Sequence, residues 1–149
     1  MEALMNPRTF FLLLVSGLVA VTSCKDSGTN PRFLLPTPQG AYAYSSLDSN
    51  GDAIVRGWFT LVFSETGRVS GEWHFLSITN RTDIGPQTGD GQLTGSVVDT
   101  ILYLNLNPNW VDNNVYLSGR LDAALYHGRW DWSTFVGITN HGTFEAVRN

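Results

Sequence analysis

The chain has 149 residues, room for one domain with a sizeable core. Charged residues make up 15% and hydrophobic ones 42%, with 18 aromatics, which excludes a disordered chain. The net charge is −4 and the pI near 5.1, so nothing in the balance suits nucleic acid. One cysteine excludes an intramolecular disulfide and a Cys-rich metal site.

Residues Phe10–Val21 form an apolar run of twelve. As a helix it would span about 18 Å, short of the ~30 Å hydrocarbon core. Arg8 precedes it and small residues follow, the pattern of a secretory signal. Met5 offers a second start, from which Met5–Ser23 reads as a cleaner signal than the stretch containing Glu2.

The run ends in Val21-Thr22-Ser23-Cys24, which resembles the lipobox of bacterial lipoproteins: an aliphatic residue, two small residues, then cysteine. The resemblance implies a diacylglyceryl group on Cys24, cleavage before it, and acylation of the new amino group. Two or three acyl chains would anchor the chain stably to a membrane. Lys25 follows the cysteine, which in a Gram-negative cell resembles the class sorted to the outer membrane. The expected division is a signal peptide over 1–23, a lipid anchor and extended tether over 24–38, and a β domain over 39–149. Three prolines and a glycine between Lys25 and Pro38 keep the tether from forming regular structure.

From Gln39 onward no helical periodicity is found, and alternation dominates. It predicts strands at Gly40–Leu47, Ala53–Ser64, Arg68–Ile78, Gly91–Val98, Ile101–Asn107, Asn114–Leu121, Leu125–Phe135 and His141–Arg148. Gly51 and Gly67 supply positive φ for two of the turns. The longest connection is Thr79–Asp90. One face of each strand from the second onward is apolar: Val55, Gly57, Phe59, Leu61 and Phe63 on the second; Val69, Gly71, Trp73 and Phe75 on the third; Tyr126, Gly128, Trp130 and Trp132 on the seventh. The opposite faces carry Arg56, Glu72, His74, Arg120, His127, Arg129 and Asp131. One wet and one dry face mean a sheet closed on itself or two packed sheets.

Glycine recurs inside the dry face, at Gly57, Gly71, Gly95, Gly119 and Gly128, where it marks strong bending or the close approach of a large group. Closing a small barrel needs such bends, and the tryptophans need space. The expected fold is therefore all-β, an eight-stranded antiparallel up-and-down barrel, with a β-sandwich as the alternative. In architecture this resembles the calycin barrels, the lipocalins and avidins. Gly71-Glu72-Trp73 and Gly128-Arg129-Trp130 repeat the lipocalin Gly-x-Trp motif on other strands.

Trp73, Trp130 and Trp132, with Phe59 and Tyr126, are candidates to line an interior ligand cavity; the same residues could equally make a packed core. Trp58, on the outer face, and Trp110, in a loop, are candidates for a partner surface or a sugar-stacking platform. Asp48-Ser49-Asn50-Gly51-Asp52 opens like a calcium loop but lacks the later ligands, and reads as a hairpin turn. His74, His127 and His141 fall on wet faces. No nucleophile elbow, phosphate loop or zinc spacing is present, so no cofactor is expected. The reading is a non-enzymatic, lipid-anchored envelope module for a small apolar ligand or an envelope protein, the alternative being a structural lipoprotein with a solid core.

Overall fold

The structure is a computed structural model and describes residues 38–149. The expected signal peptide, Cys24 and all of the expected tether but Pro38 lie outside the described residues. The remainder is eight strands in chain order: β1 (Gly40–Leu47), β2 (Ala53–Phe63), β3 (Arg68–Ser77), β4 (Gly89–Val98), β5 (Ile101–Asn105), β6 (Asn113–Asp122), β7 (Leu125–Thr134) and β8 (Gly137–Arg148). Each pairs antiparallel with the next. β8 returns to β1 from Tyr42↔Arg148 to Leu47↔Thr143, so the sheet closes as an up-and-down barrel and the sandwich alternative falls. The clearest difference from the sequence reading is β8, which begins at Gly137 instead of His141. Residues 137–140 have no apolar alternation. A tight turn places Gly137 (φ 105°) opposite Thr134 and so continues the ladder.

Strand direction sorts the connections onto two ends. The turn 48–52, the long loop 78–88, the loop 106–112 and the turn 135–136 crowd one end. Pro38, the three tight turns 64–67, 99–100 and 123–124, and the C-terminus share the other. Gly51 and Gly67 take the positive φ the sequence asked for, 89° and 76°.

The dry face points inward throughout. Trp130, Phe59, Phe75, Tyr126 and Phe144 are fully buried. β1 contributes two tyrosines whose inward direction was not read from the sequence. The Tyr42 ring stacks on Phe59 at 5.4 Å, and Tyr44 stacks on Phe75 at 4.2 Å. The buried phenols are not orphaned: Tyr42 donates to the Pro38 carbonyl (2.7 Å), and Tyr126 of β7 donates to the Leu102 carbonyl (3.0 Å). Burial pushes the Tyr42, Tyr44 and Tyr126 hydroxyl pKa values upward.

The recurring glycines do not make room for the tryptophans. A Cβ on Gly57, Gly71, Gly95, Gly119 or Gly128 would lie within 2.1 Å of a carbonyl oxygen on the adjacent strand. They let neighbouring backbones close up as the sheet curls. Space for the indoles comes from other glycines. Trp73 lies where a Cβ of Gly91 would sit, and its Nε1 donates to the Leu106 carbonyl just beyond β5 (2.7 Å). Trp130 lies likewise against Gly142, and its Nε1 donates to the Leu47 carbonyl at the end of β1 (2.8 Å). The two arrangements match strand for strand, β3-β4-β5 against β7-β8-β1. In both, the upper half of one strand has no partner on its far side. Gly89–Leu93 of β4 pair only with β3, and residues 137–142 of β8 pair only with β7. An indole bridges each gap.

The loop 78–88 covers the crowded end. Its own Ile84 and Gln87 are buried. Gln87 Oε1 accepts from Ser46 Oγ (3.3 Å) and, at 3.5 Å, from the Tyr44 hydroxyl, while its Nε2 donates to the Ile84 carbonyl (2.6 Å). Arg81 pairs with both Asp48 and Asp83, and Asn140 donates to the Asp83 carbonyl (2.6 Å). The half-buried Trp132 ring packs against Gly85, and its Nε1 donates to Asn113 (2.7 Å).

Candidate functional site

The interior candidates separate from the exterior ones. Phe59, Tyr126 and Trp130 pack against neighbouring rings and strands and are fully buried. None of the three borders any of the clefts described here. Trp73 is 4% exposed and reaches the surface only at its edge, beside Gly91. Trp132 holds the end cap. At the opposite end a depression of about 130 Å³ lies between Pro38, Phe63, Val97, Leu102 and Leu121, with Arg120 and Asp122 also in its lining.

Trp58 and Trp110, on β2 and in the 106–112 loop, border one stretch of outer surface. The sheet sets two outward rows side by side: Trp58–His74–Asp90 across β2, β3 and β4, and Glu72–Gln92 beside it. One cleft, about 290 Å³, is lined by Trp58, Glu72, Asp90, Gly91 and Gln92. A second, about 170 Å³, shares Asp90, Gly91 and Gln92 and continues to Asn107, Asn109 and Trp110. The edge of Trp73 contributes to both. The second cleft occupies the gap where β4 has lost its β5 partner, because β5 stops at Asn105. Together they form a groove with an indole at each end and a glycine in its floor.

Local bonds order this groove. Trp58 stacks one face on the His74 ring, 6.2 Å between centroids, and is 42% exposed. His74 Nδ1 contacts the Asp90 carboxylate. Gln92 Nε2 donates to Glu72 Oε1 (3.3 Å). The Asn114 side chain donates to the Trp110 carbonyl (3.1 Å) and Asn107 donates to the Pro86 carbonyl (3.0 Å), which ties the 106–112 loop to the barrel and to the cap. The Trp110 side chain is left 54% exposed.

The matching position in the other half of the barrel is also a cleft. Asp48, Asn50, Gly51, Arg129, His141, Gly142 and Thr143 line it, with Gly142 for Gly91, Arg129 for Glu72 and Thr143 for Gln92. It has no Trp, Tyr or Phe in its lining and carries a cation where the first groove carries a carboxylate. Asp48 is spent within its own turn. Its Oδ1 accepts from the Asn50 and Asp52 amides (2.9 and 3.0 Å) and its Oδ2 takes Arg81, so this is a hairpin turn. Among the described residues no three His, Cys, Asp or Glu side chains converge as a metal site. His127 reaches only Asp122, at 3.4 Å.

Glu72, Asp90, Gln92 and Gly91 were not singled out from the sequence as partners of Trp58 and Trp110. Their common row depends on strand register, which the sequence pattern leaves open. Comparison of the chain with protein-family models, with curated proteins and with solved structures finds no match.

Proposed function

We propose that the chain is a lipid-anchored, non-enzymatic module of the bacterial cell envelope, on the outer membrane in a Gram-negative cell, that works through the outside of its barrel. The observation that carries this reading is the filled interior. Six aromatic side chains, Tyr42, Phe59, Phe75, Tyr126, Trp130 and Phe144, belong to the barrel core and are fully buried. An eight-stranded barrel can be just filled or can hold one small ligand, and interdigitated rings of this size favour the filled case. The lipobox at Val21–Cys24 supports the anchor, and Cys24 has no second cysteine to pair with.

The same packing favours a second reading, a structural lipoprotein with no small ligand. The groove between Trp58 and Trp110 speaks for binding, because exposed indoles among polar groups are characteristic of recognition surfaces. Anchoring is tested by Cys24→Ser in a bacterium with the lipoprotein pathway: acyl labelling and membrane retention should be lost, and their persistence would refute it. Outside binding is tested with fatty acids, sterols and haem. These should leave the buried indole emission and the melting temperature unchanged, whereas a ligand at 100 times its Kd would add about 2.7 kcal/mol of stability.

A further inference from the structure

We propose that the Trp58–Trp110 groove binds an uncharged oligosaccharide. The inference rests on the outward-working reading above and names the ligand class. A sugar ring has an apolar C–H face and a rim of hydroxyls that both donate and accept. Such a ring needs an aromatic face to lie on and carboxylate or amide groups at its edge. The groove supplies both. Trp58, packed beside the His74 ring, is 42% exposed, and Trp110 stands half exposed at the far end. Between them lie Glu72, Asp90, Gln92 and Asn109, over a floor that Gly91 keeps low.

Competing ligand classes fit less well. No Lys or Arg lines either cleft, and two carboxylates do, so a polyanion would be repelled. A fatty chain would leave these carboxylates and amides dry and unpaired. A peptide strand added to the free edge of β4 would have to displace the Trp73 indole. That side chain crosses the gap, held at 2.7 Å to the Leu106 carbonyl. The other half of the barrel is an internal control: the same backbone cleft is present at Gly142, but without an indole and with Arg129.

The test is calorimetric titration of the protein expressed from the full chain, in detergent. The ligands are the tetramers of β1,4-linked N-acetylglucosamine, of β1,4-linked glucose and of α1,4-linked glucose, with tetragalacturonate as the anionic counterpart. At least one neutral tetramer should bind with a Kd below about 1 mM, and the preferred one tells an amino-sugar polymer from a glucan. Tetragalacturonate should bind at least ~10-fold more weakly. Trp58→Ala and Trp110→Ala should each weaken binding by ~10-fold or more, the loss expected of a buried aromatic anchor. Arg129→Ala, in the control cleft, should leave it unchanged. Trp58→Phe and Trp110→Phe guard against misfolding: with an unaltered circular dichroism spectrum they should retain intermediate affinity. No neutral tetramer bound with a Kd below about 1 mM, a preference for tetragalacturonate, or affinity indifferent to both tryptophans would each overturn the proposal. These outcomes are separate from those of the Cys24→Ser fractionation and the apolar ligand screen.

Discussion

At the scale of single residues, the glycines carry a claim that is easily tested. Gly119 faces Gly128 directly across the β6–β7 ladder. A Cβ on Gly119 would sit 2.1 Å from the His127 carbonyl oxygen and 3.0 Å from the Gly128 Cα. Backbone cannot swing aside as a flexible side chain does, so Gly119→Ala must spread the two strands. The expected cost is at the upper end of the ~1–3 kcal/mol typical of overpacking. Arg120→Ala, one residue along on the exposed face, should stay within about ±0.5 kcal/mol. Thermal unfolding of the two variants checks this, and equal melting temperatures would contradict the assignment of faces. The alternation that placed Gly119 inward was legible in the sequence. What it faced was not: the pattern suggested a large side chain, and the structure has a neighbouring backbone.

At the scale of elements, the 78–88 loop is the piece whose behaviour depends on pH. Asp48 is held below the usual carboxylate range, first by the Asp52 amide and then by Asn50 and Arg81; Asp83 is held low by Arg81. A carboxylate with a depressed folded-state pKa contributes stability that is fully present above the unfolded value, near 3.9. That contribution is lost as pH falls through the folded value. The cap should therefore loosen in acid below about pH 4, before the ladder itself fails, and Trp132 against Gly85 should report it first. Melting curves from pH 6 to pH 2 should show Asp48→Asn with a flatter acid limb than the parent chain. An identical limb would mean that the Asp48–Arg81 pair does not hold the cap. The sequence marked Thr79–Asp90 as the longest connection but gave no sign that it folds over the barrel end. The buried Gln87, with its bonds to Ser46 and Ile84, is a tertiary device without periodicity. Buried tyrosines set the alkaline limit. Their raised pKa values keep the folded phenols neutral while the unfolded ones ionise, so stability should fall as pH rises above about 10.

At the scale of the whole molecule, closure is the property on which everything else depends. The strand count and the meander could be read from turn chemistry and alternation, since each hairpin is local. Closure is not local: it joins β1 to β8, the two ends of the domain, through six register pairs. The same long-range register brings Trp58, Glu72, Asp90 and Trp110 to one groove, which explains why the site was less legible than the fold. Apart from the two short gaps that Trp73 and Trp130 bridge, the closed sheet has no edges, whereas an open one presents two rows of unpaired amides and carbonyls. Removing Glu145–Asn149 would delete the β8 partners of Tyr42, Ala43, Tyr44 and Ser45 and withdraw Ala146 from the core. Two edges would then flank an exposed aromatic interior. Because the core is one cluster of interlocked rings rather than two halves, the loss should not be confined to the seam. Near-ultraviolet circular dichroism should vanish, tryptophan emission should shift to the red, and size-exclusion chromatography should show oligomers formed edge to edge. Trp58→Ala, which touches only the outer face, should stay monomeric, keep the near-ultraviolet dichroism of the buried rings and shift no emission to the red. A truncated chain that stays monomeric with native near-ultraviolet dichroism would show that the seam is dispensable, and that a core held by seven strands is enough.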